Sequence, residues 1–263
     1  MNKYYTRACN FYHGSQAKNL IKKKLALPLC GINNIAFDSI EFFSRKKNKV
    51  NSKFLHIKDI KYLGKKAQKK IRIDLKKITS RRKNFLKNVN FNLPSIMGIL
   101  NLTPDSFSDG GKFNSEKKSF EHIFKMIRTG ANIIDVGGES TRPGSITIEP
   151  AKEWIRVQKV IKNFKKKFKK NCLSFDTRKS ELMVKGIKFG VDLINDVSGF
   201  EYDKNALRKI ENYDIPKVLH HMKGTPNTMQ NNPNYQNVLL DIYDFFESKI
   251  QKEIKCNKII LDP

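Results

Sequence analysis

Six short apolar runs in this 263-residue chain each end on a polar residue, at Asn101, Asp135, Asp176, Asn195, His220 and Asp262. As strands they read 95–100, 132–136, 173–176, 192–195, 217–220 and 259–262. Between them lie stretches with helical spacing. Phe120, Ile123, Phe124 and Ile127 share one face over 115–129. Trp154, Val157, Ile161, Phe164 and Phe168 share a face of a helix that Pro150 opens, proline being favoured at a first helical position. Further helices are expected over 179–189, 205–211 and 237–254. Near-continuous apolar strands alternating with helices predict an α/β fold whose parallel strands are buried on both faces. A doubly wound open sheet would gather its polar strand ends at one switch point. Here every strand carries one, which favours a (β/α)8 barrel of the TIM type with its site at the C-terminal rim. Six strands are visible where a closed barrel has eight, so the barrel domain, 95–263, is expected to be incomplete, with about six βα units.

The segment ahead of it, 1–94, shows no comparable pattern. Its short apolar pieces are separated by Lys/Asn runs, and a basic helix over 59–87 would lack a continuous apolar stripe, so it is expected to be an accessory segment. Residues 1–95 carry 24 Lys/Arg against 4 Asp/Glu, and 96–263 carry 28 against 21, so the formal charge of +27 sits mainly in the first third. A basic segment can bind nucleic acid. No RNA- or DNA-binding motif accompanies the charge, so it reads as solvated surface of a Lys- and Asn-rich chain, and a nucleic-acid partner is not expected. A non-catalytic basic RNA-binding protein is the alternative. Cys9, Cys30, Cys172 and Cys256 lack CxxC spacing and read as unpaired thiols of a reducing compartment. No apolar run approaches the roughly 20 residues that cross a bilayer, and no apolar stretch follows the charged start. The expected location is cytoplasmic, with no membrane partner.

Two loops carry most of the chemistry. The first strand breaks into Asn101-Leu102-Thr103-Pro104-Asp105-Ser106-Phe107-Ser108-Asp109-Gly110-Gly111, and the second into Gly137-Gly138-Glu139-Ser140-Thr141-Arg142-Pro143-Gly144-Ser145. Glycines admit close backbone approach to a ligand, and Arg142 offers a planar fork of donors matched to phosphate oxygens. Asp176 and Asn195 each end a strand. A carboxylate beside a carboxamide suits a ring with adjacent donors and acceptors, such as an aminopyrimidinone. Each alone would do for a helix cap or a turn, but Asp262 stands in a third equivalent place. His220 and His221 point to opposite faces of a strand and so cannot easily share one ion, and Met222 is better read against an aromatic ligand. No nucleophile–base pair is evident. Chemistry is expected from binding charge and positioning a leaving group, with Mg²⁺ at the Asn101 oxygen beside a pyrophosphate.

These segments resemble the two signatures of the dihydropteroate synthase family, and Asp176-Thr177-Arg178-Lys179, Ile194-Asn195-Asp196-Val197-Ser198-Gly199, His221-Met222 and Leu261-Asp262-Pro263 follow in that family's order. The resemblance covers about 95–263. It implies a barrel enzyme, usually a homodimer, that condenses p-aminobenzoate with 6-hydroxymethyl-7,8-dihydropterin pyrophosphate to give 7,8-dihydropteroate and pyrophosphate. Asp176, Asn195 and Asp262 match positions that hold the pterin, and Met222 lines that pocket. Asn101 matches the residue associated with Mg²⁺. Thr141 and Arg142 belong to the leaving-group region, and Phe107, Asp109 and Pro143 to mobile loops that form the p-aminobenzoate pocket. Asp109 and Arg142 are the expected catalytic residues. The family's later strands, with a Lys-x-Ser-Arg-Lys-like motif and an Arg-x-His motif, do not follow Pro263, so these 263 residues alone are expected to be poorly stable and inactive. A pterin-binding methyltransferase domain shares the barrel and the pterin contacts, and is the rival enzyme reading.

Overall fold

The computed structural model describes residues 2–47, 49–103, 116–140, 142, 145–224, 228, 233–252, 254 and 258–263, and the chain falls into two compact units, Met1–Lys83 and Asn84–Pro263. The first unit is more regular than its sequence pattern suggested. It contains β1 (Lys3–His13), α1 (Gly14–Lys22), β2 (Leu27–Leu29), β3 (Ile32–Lys46), β4 (Lys49–His56), a 3-10 turn (Ile57–Tyr62) and α2 (Lys65–Thr79). β3 is central, with β1 antiparallel along one side and β2 and β4 antiparallel along the other. Its neighbours Ala36 and Phe37 are both buried, Ala36 with Ala17 of α1 and Phe37 with Ile71 of α2. Adjacent strand residues point to opposite faces. With both faces covered, the polar–apolar alternation that marks a half-exposed strand is lost, and the segment read as irregular. The expected helix over 59–87 is the 3-10 turn followed by the shorter α2. Its buried Asp74 accepts from the Thr6 hydroxyl at 2.9 Å and pairs with Lys70.

In the second unit the described residues form six strands: β5 (Ile96–Asn101), β6 (Ala131–Gly137), β7 (Cys172–Asp176), β8 (Leu193–Asp196), β9 (Lys217–His220) and β10 (Ile259–Asp262). They form one sheet in strictly sequential order, every neighbouring pair parallel. Each strand lies within a residue or two of its place in the sequence pattern. The connecting helices are α3 (Glu116–Arg128), α4 (Pro150–Lys167), α5 (Ser180–Lys188), α6 (Ala206–Ile210) and α7 (Val238–Lys252). All five contribute to a single buried cluster with Leu100, Ile134, Val136, Leu173, Phe175, Ile194 and Leu219, which alternate along the strands. A doubly wound sheet would carry helices on both faces and reverse its strand order. Helices on one face and no reversal make this a barrel of the TIM type, open between β5 and β10 among the described residues.

The intervening strand positions Met97, Ile133, Cys172, Leu193, Val218 and Ile260 face the inside. There they meet Phe85, Leu86, Val89 and Phe91. That contact explains why the compact units divide after Lys83 and not after residue 94: 84–94 supplies apolar side chains that cover the inner face of the sheet near the beginnings of its strands.

Candidate functional site

Period-two alternation carries the inner face upward from that apolar floor to polar groups. Asn101, Gly137, Asp176 and Asn195 are successive register partners across β5, β6, β7 and β8. One pleat below, Asp135 stands level with Ile99 and Ser174; one pleat above, His220 is paired with Asp262 across β9 and β10. Gly137 leaves the row open: a Cβ there would lie 3.3 Å from Asp176 Oδ2 and 3.4 Å from Asn101 Oδ1. Both oxygens therefore face the same glycine.

Hydrogen bonds then orient this row. Asn195 Nδ2 donates to Asp135 Oδ2 at 3.0 Å, and His220 Nδ1 lies 3.0 Å from Asp262 Oδ2. Asn195 and Asp262 line one cavity of about 250 Å³ over Val89, Phe91, Met97, Ile133, Val218 and Ile260. The sequence singled out Asp176, Asn195, Asp262 and Asn101. The structure sets Asn101, Asp176 and Asn195 in one row and joins Asp262 to Asn195 across the cavity. Met222, two residues past β9 and half-buried, stands outside this lining. Thr141, Pro143, Phe107 and Asp109 lie outside the described residues.

Among the described residues, Asp135 Oδ1 and Asp176 Oδ1 are buried with no hydrogen-bond partner, and neither carboxylate forms an ion pair. Buried charge without a partner is costly. Burial raises the Asp135 carboxyl above its ordinary value against the pull of Ser174 and Asn195. Burial raises Asp176 well above its own, reinforced by repulsion from Asp135, Asp196, Glu153 and Glu139. Next to Asn195, burial pushes Asp196 up to about 6, even though its carboxylate accepts from the Ser198 amide and hydroxyl. Acceptors held dry and unsatisfied beside the cavity-lining Asn195, Asp135 by a hydrogen bond and Asp176 as its register partner, suit a ligand that brings its own N–H donors.

Metal chemistry has a narrower basis. Among the described residues no cluster of three His, Cys, Asp or Glu side chains could hold an ion. Asn101 offers one hard carboxamide oxygen at a strand end. That fits Mg²⁺, which keeps several waters and takes one or two protein oxygens beside substrate phosphates.

A second polar group sits at the same rim, and the sequence reading passed over it. Glu139 accepts from Arg178 Nε and Nη2 at 3.0 and 2.7 Å and from Lys179 Nζ at 2.9 Å, and Lys179 also pairs with Glu153. The four side chains are 5%, 4%, 5% and 0% exposed as residues, in the order Glu139, Arg178, Lys179, Glu153, so the cluster is dry. A signal for it was present. Glu153 falls in helical register with the buried Val157, Val160, Ile161 and Phe164, a carboxylate on an apolar stripe.

The pterin binding enzyme family matches residues 97–263, more than half of the chain. A dihydropteroate synthase of Haemophilus influenzae is 41% identical over 181 residues, which are 67% of this chain and 65% of that protein. The crystal structure of the Yersinia pestis dihydropteroate synthase with a sulfonamide drug is 38% identical, with a TM-score of 0.63 over 66% of this chain and 64% of that one. A Burkholderia cenocepacia dihydropteroate synthase complexed with 7,8-dihydropteroate is 32% identical, with a TM-score of 0.57 over 66% and 60% of the two chains. The chain thus spans just under two thirds of the length of these relatives. A sequential parallel barrel sheet, a polar inner rim and a family match across the whole of that sheet lead to one conclusion: the chain belongs to the family of pterin-binding enzymes.

Proposed function

We propose that the protein is a dihydropteroate synthase, a transferase of folate biosynthesis. It joins p-aminobenzoate to 6-hydroxymethyl-7,8-dihydropterin pyrophosphate and releases pyrophosphate. The observation that carries this is the pair of buried, unpartnered carboxylate oxygens on Asp135 and Asp176, beside the Asn195 carboxamide and the cavity shared with Asp262. An aminopyrimidinone presents an exocyclic amine and ring N–H groups to such acceptors and a carbonyl to the carboxamide. The Burkholderia protein, complexed with 7,8-dihydropteroate, supports the same ligand class.

In the reaction the bond from the pterin methylene carbon to the pyrophosphate oxygen breaks, and a carbon–nitrogen bond to the arylamine forms as the amine loses a proton. Positive charge spreads into the pterin as pyrophosphate leaves. Buried acceptors at Asp135 and Asp176, with the exposed Asp262 at the cavity mouth, hold the ring and favour that charge electrostatically. Arg142, half-buried, brings its guanidinium fork to the leaving group together with the Thr141 hydroxyl in this reading. Asp109 stabilises the cation from its loop, while Phe107 and Pro143 form the p-aminobenzoate pocket and Met222 packs near the pterin. Asn101 would hold Mg²⁺ together with pyrophosphate oxygens, and the ion when bound neutralises charge on the leaving group. The enzyme acts in the cytoplasm, as a homodimer; no helix among the described residues is long and apolar enough to cross a membrane.

Calorimetric titration tests the reading. The protein should bind 6-hydroxymethyl-7,8-dihydropterin pyrophosphate at least about tenfold more tightly than the same pterin without pyrophosphate, because charge-assisted contacts to the leaving group add to the ring contacts. Equal affinity for the two would mean a pterin site without a transfer site, and the synthase reading would fail.

A further inference from the structure

The described parts of the segment after β6, 137–140 and 145–148, are tied down at more points than a turn requires. The Ile148 amide donates to Glu139 Oε1 at 2.9 Å, Arg178 reaches the Thr147 hydroxyl at 3.3 Å, and the Ser145 hydroxyl donates to the Ser140 carbonyl at 2.7 Å. Arg156 of α4 donates to the Gly138 carbonyl at 2.8 Å. Gly138 itself presses on α4: a Cβ there would stand 2.8 Å from Val157 Cγ1 and 2.9 Å from the Glu153 carbonyl oxygen. Glu139 is the hub, and its two cations come from the other subsite. Arg178 and Lys179 follow Asp176 after one residue, Thr177, and Glu139 precedes Arg142 by three residues in the sequence.

We propose that Glu139, held by Arg178 and Lys179, is a positioning residue that fixes the pyrophosphate-binding loop to the strand end carrying Asp176, so that the two ends of one substrate are gripped at a set spacing. This rests on the synthase reading above. A surface ion pair could not do this, because its partners re-pair with water at little cost. A dry one has no such alternative, since separation would leave bare charge in the interior. Glu139 is also the only side chain in this cluster that the loop itself contributes among the described residues, so the loop's ionic attachment to the Asp176 strand end runs through it. A displacement of about an ångström at a positioning contact can cost on the order of a hundredfold in productive binding.

The experiment is a calorimetric comparison of wild type and Glu139→Gln with two ligands, 6-hydroxymethyl-7,8-dihydropterin pyrophosphate and 6-hydroxymethyl-7,8-dihydropterin. Gln keeps the length and one acceptor but lacks the charge that two cations need. The expected result is a loss of about tenfold or more for the pyrophosphorylated ligand and under about twofold for the other. Equal losses on both ligands, or none, would overturn the proposal, because a purely structural role does not discriminate between the ends of the substrate. If Glu139→Gln does not fold, Ser145→Ala removes one loop tie without baring a charge and should cost about threefold on the pyrophosphorylated ligand alone. No change in that variant would likewise overturn it. A wild type that fails to distinguish the two ligands brings down the synthase reading itself, and the wild-type arm alone reports that failure.

Discussion

Two groups of buried carboxylates lie within a few residues of each other at one rim, and the chain treats them in opposite ways. Glu139 and Glu153 share two cations drawn from a single tripeptide. Burial pushes Glu139 up, yet Lys179, the Ile148 amide and Arg178 together hold it below its ordinary value. Glu153 remains above its own because complete burial and the neighbouring Glu139 outweigh what Lys179 returns. Asp135 and Asp176 have no cation at all among the described residues, and both are raised. The difference separates two uses of buried charge. Where the protein supplies the counter-ion, the carboxylate fixes backbone. Where it supplies none, an unmet acceptor is left for a ligand, whereas the unmet Oε1 of Glu153 belongs to a carboxylate that Lys179 already neutralises.

The largest test breaks the first group. Lys179→Ala leaves Glu139 and Glu153 facing each other in a dry site, and unfolding in urea should show a loss of about 3–5 kcal/mol. A loss under about 1 kcal/mol, the worth of an exposed pair, would mean the cluster holds nothing. The second group should answer in the opposite sense. Asp176→Asn removes a buried group that gains nothing from ionising, so stability should hold or rise by about 1 kcal/mol. Affinity for the pterin pyrophosphate should nevertheless fall about a hundredfold, or about 2.7 kcal/mol, because a donor replaces an acceptor opposite ring N–H groups. If Asp176→Asn instead costs several kcal/mol of stability while affinity for the ligand is unchanged, the two groups are alike and the contrast is lost.

The barrel was legible because each of its strands is short, apolar and closed by a polar residue. The alternation of side chains then set Asn101, Asp176, Asn195 and Asp262 on one face without any knowledge of contacts. Asp135 and His220 were visible as strand ends, but their bonds to Asn195 and Asp262 depend on register between strands, which local pattern does not supply. The paired cluster was hidden for a similar reason. Arg178 and Lys179 follow a strand end and resemble surface residues, and only tertiary packing brings Glu139 and Glu153 to them. The first unit was misjudged on different grounds. Its central strand is covered on both faces and its others are diluted with Lys and Asn, so Ile32–Lys46, the longest strand among the described residues, shows neither a clean alternation nor a continuous apolar run.

The smallest effect concerns pH, and its sign follows from the unpaired group. Asp196 is fully buried and accepts from Ser198 on Oδ1, while Oδ2 has no partner among the described residues. Its folded value of about 6 lies above the ordinary aspartate value of 3.8 that the unfolded chain would show. Folding therefore favours the protonated form, and the stability this gives is lost as pH rises through about 6. Asp135, Asp176 and Glu153 shift in the same direction and add to it. Glu139, Asp38 and Asp203 shift the other way, but what they contribute is lost only as pH falls through their depressed values, below the ordinary carboxylate range; His221, lowered chiefly by burial, also opposes the trend as pH falls below 6.5, one half-exposed group against four raised carboxyls. Between pH 7 and pH 5 the unpaired set should dominate, and Asp196 alone should add about 1 kcal/mol on acidification. Thermal unfolding at pH 7, 6 and 5 should show the midpoint climbing as pH falls, with Asp196→Asn flattening the climb. A midpoint that instead drops steadily from pH 7 would mean that paired carboxylates govern the whole rim, and that the acceptors assigned to the ligand are already satisfied by the protein.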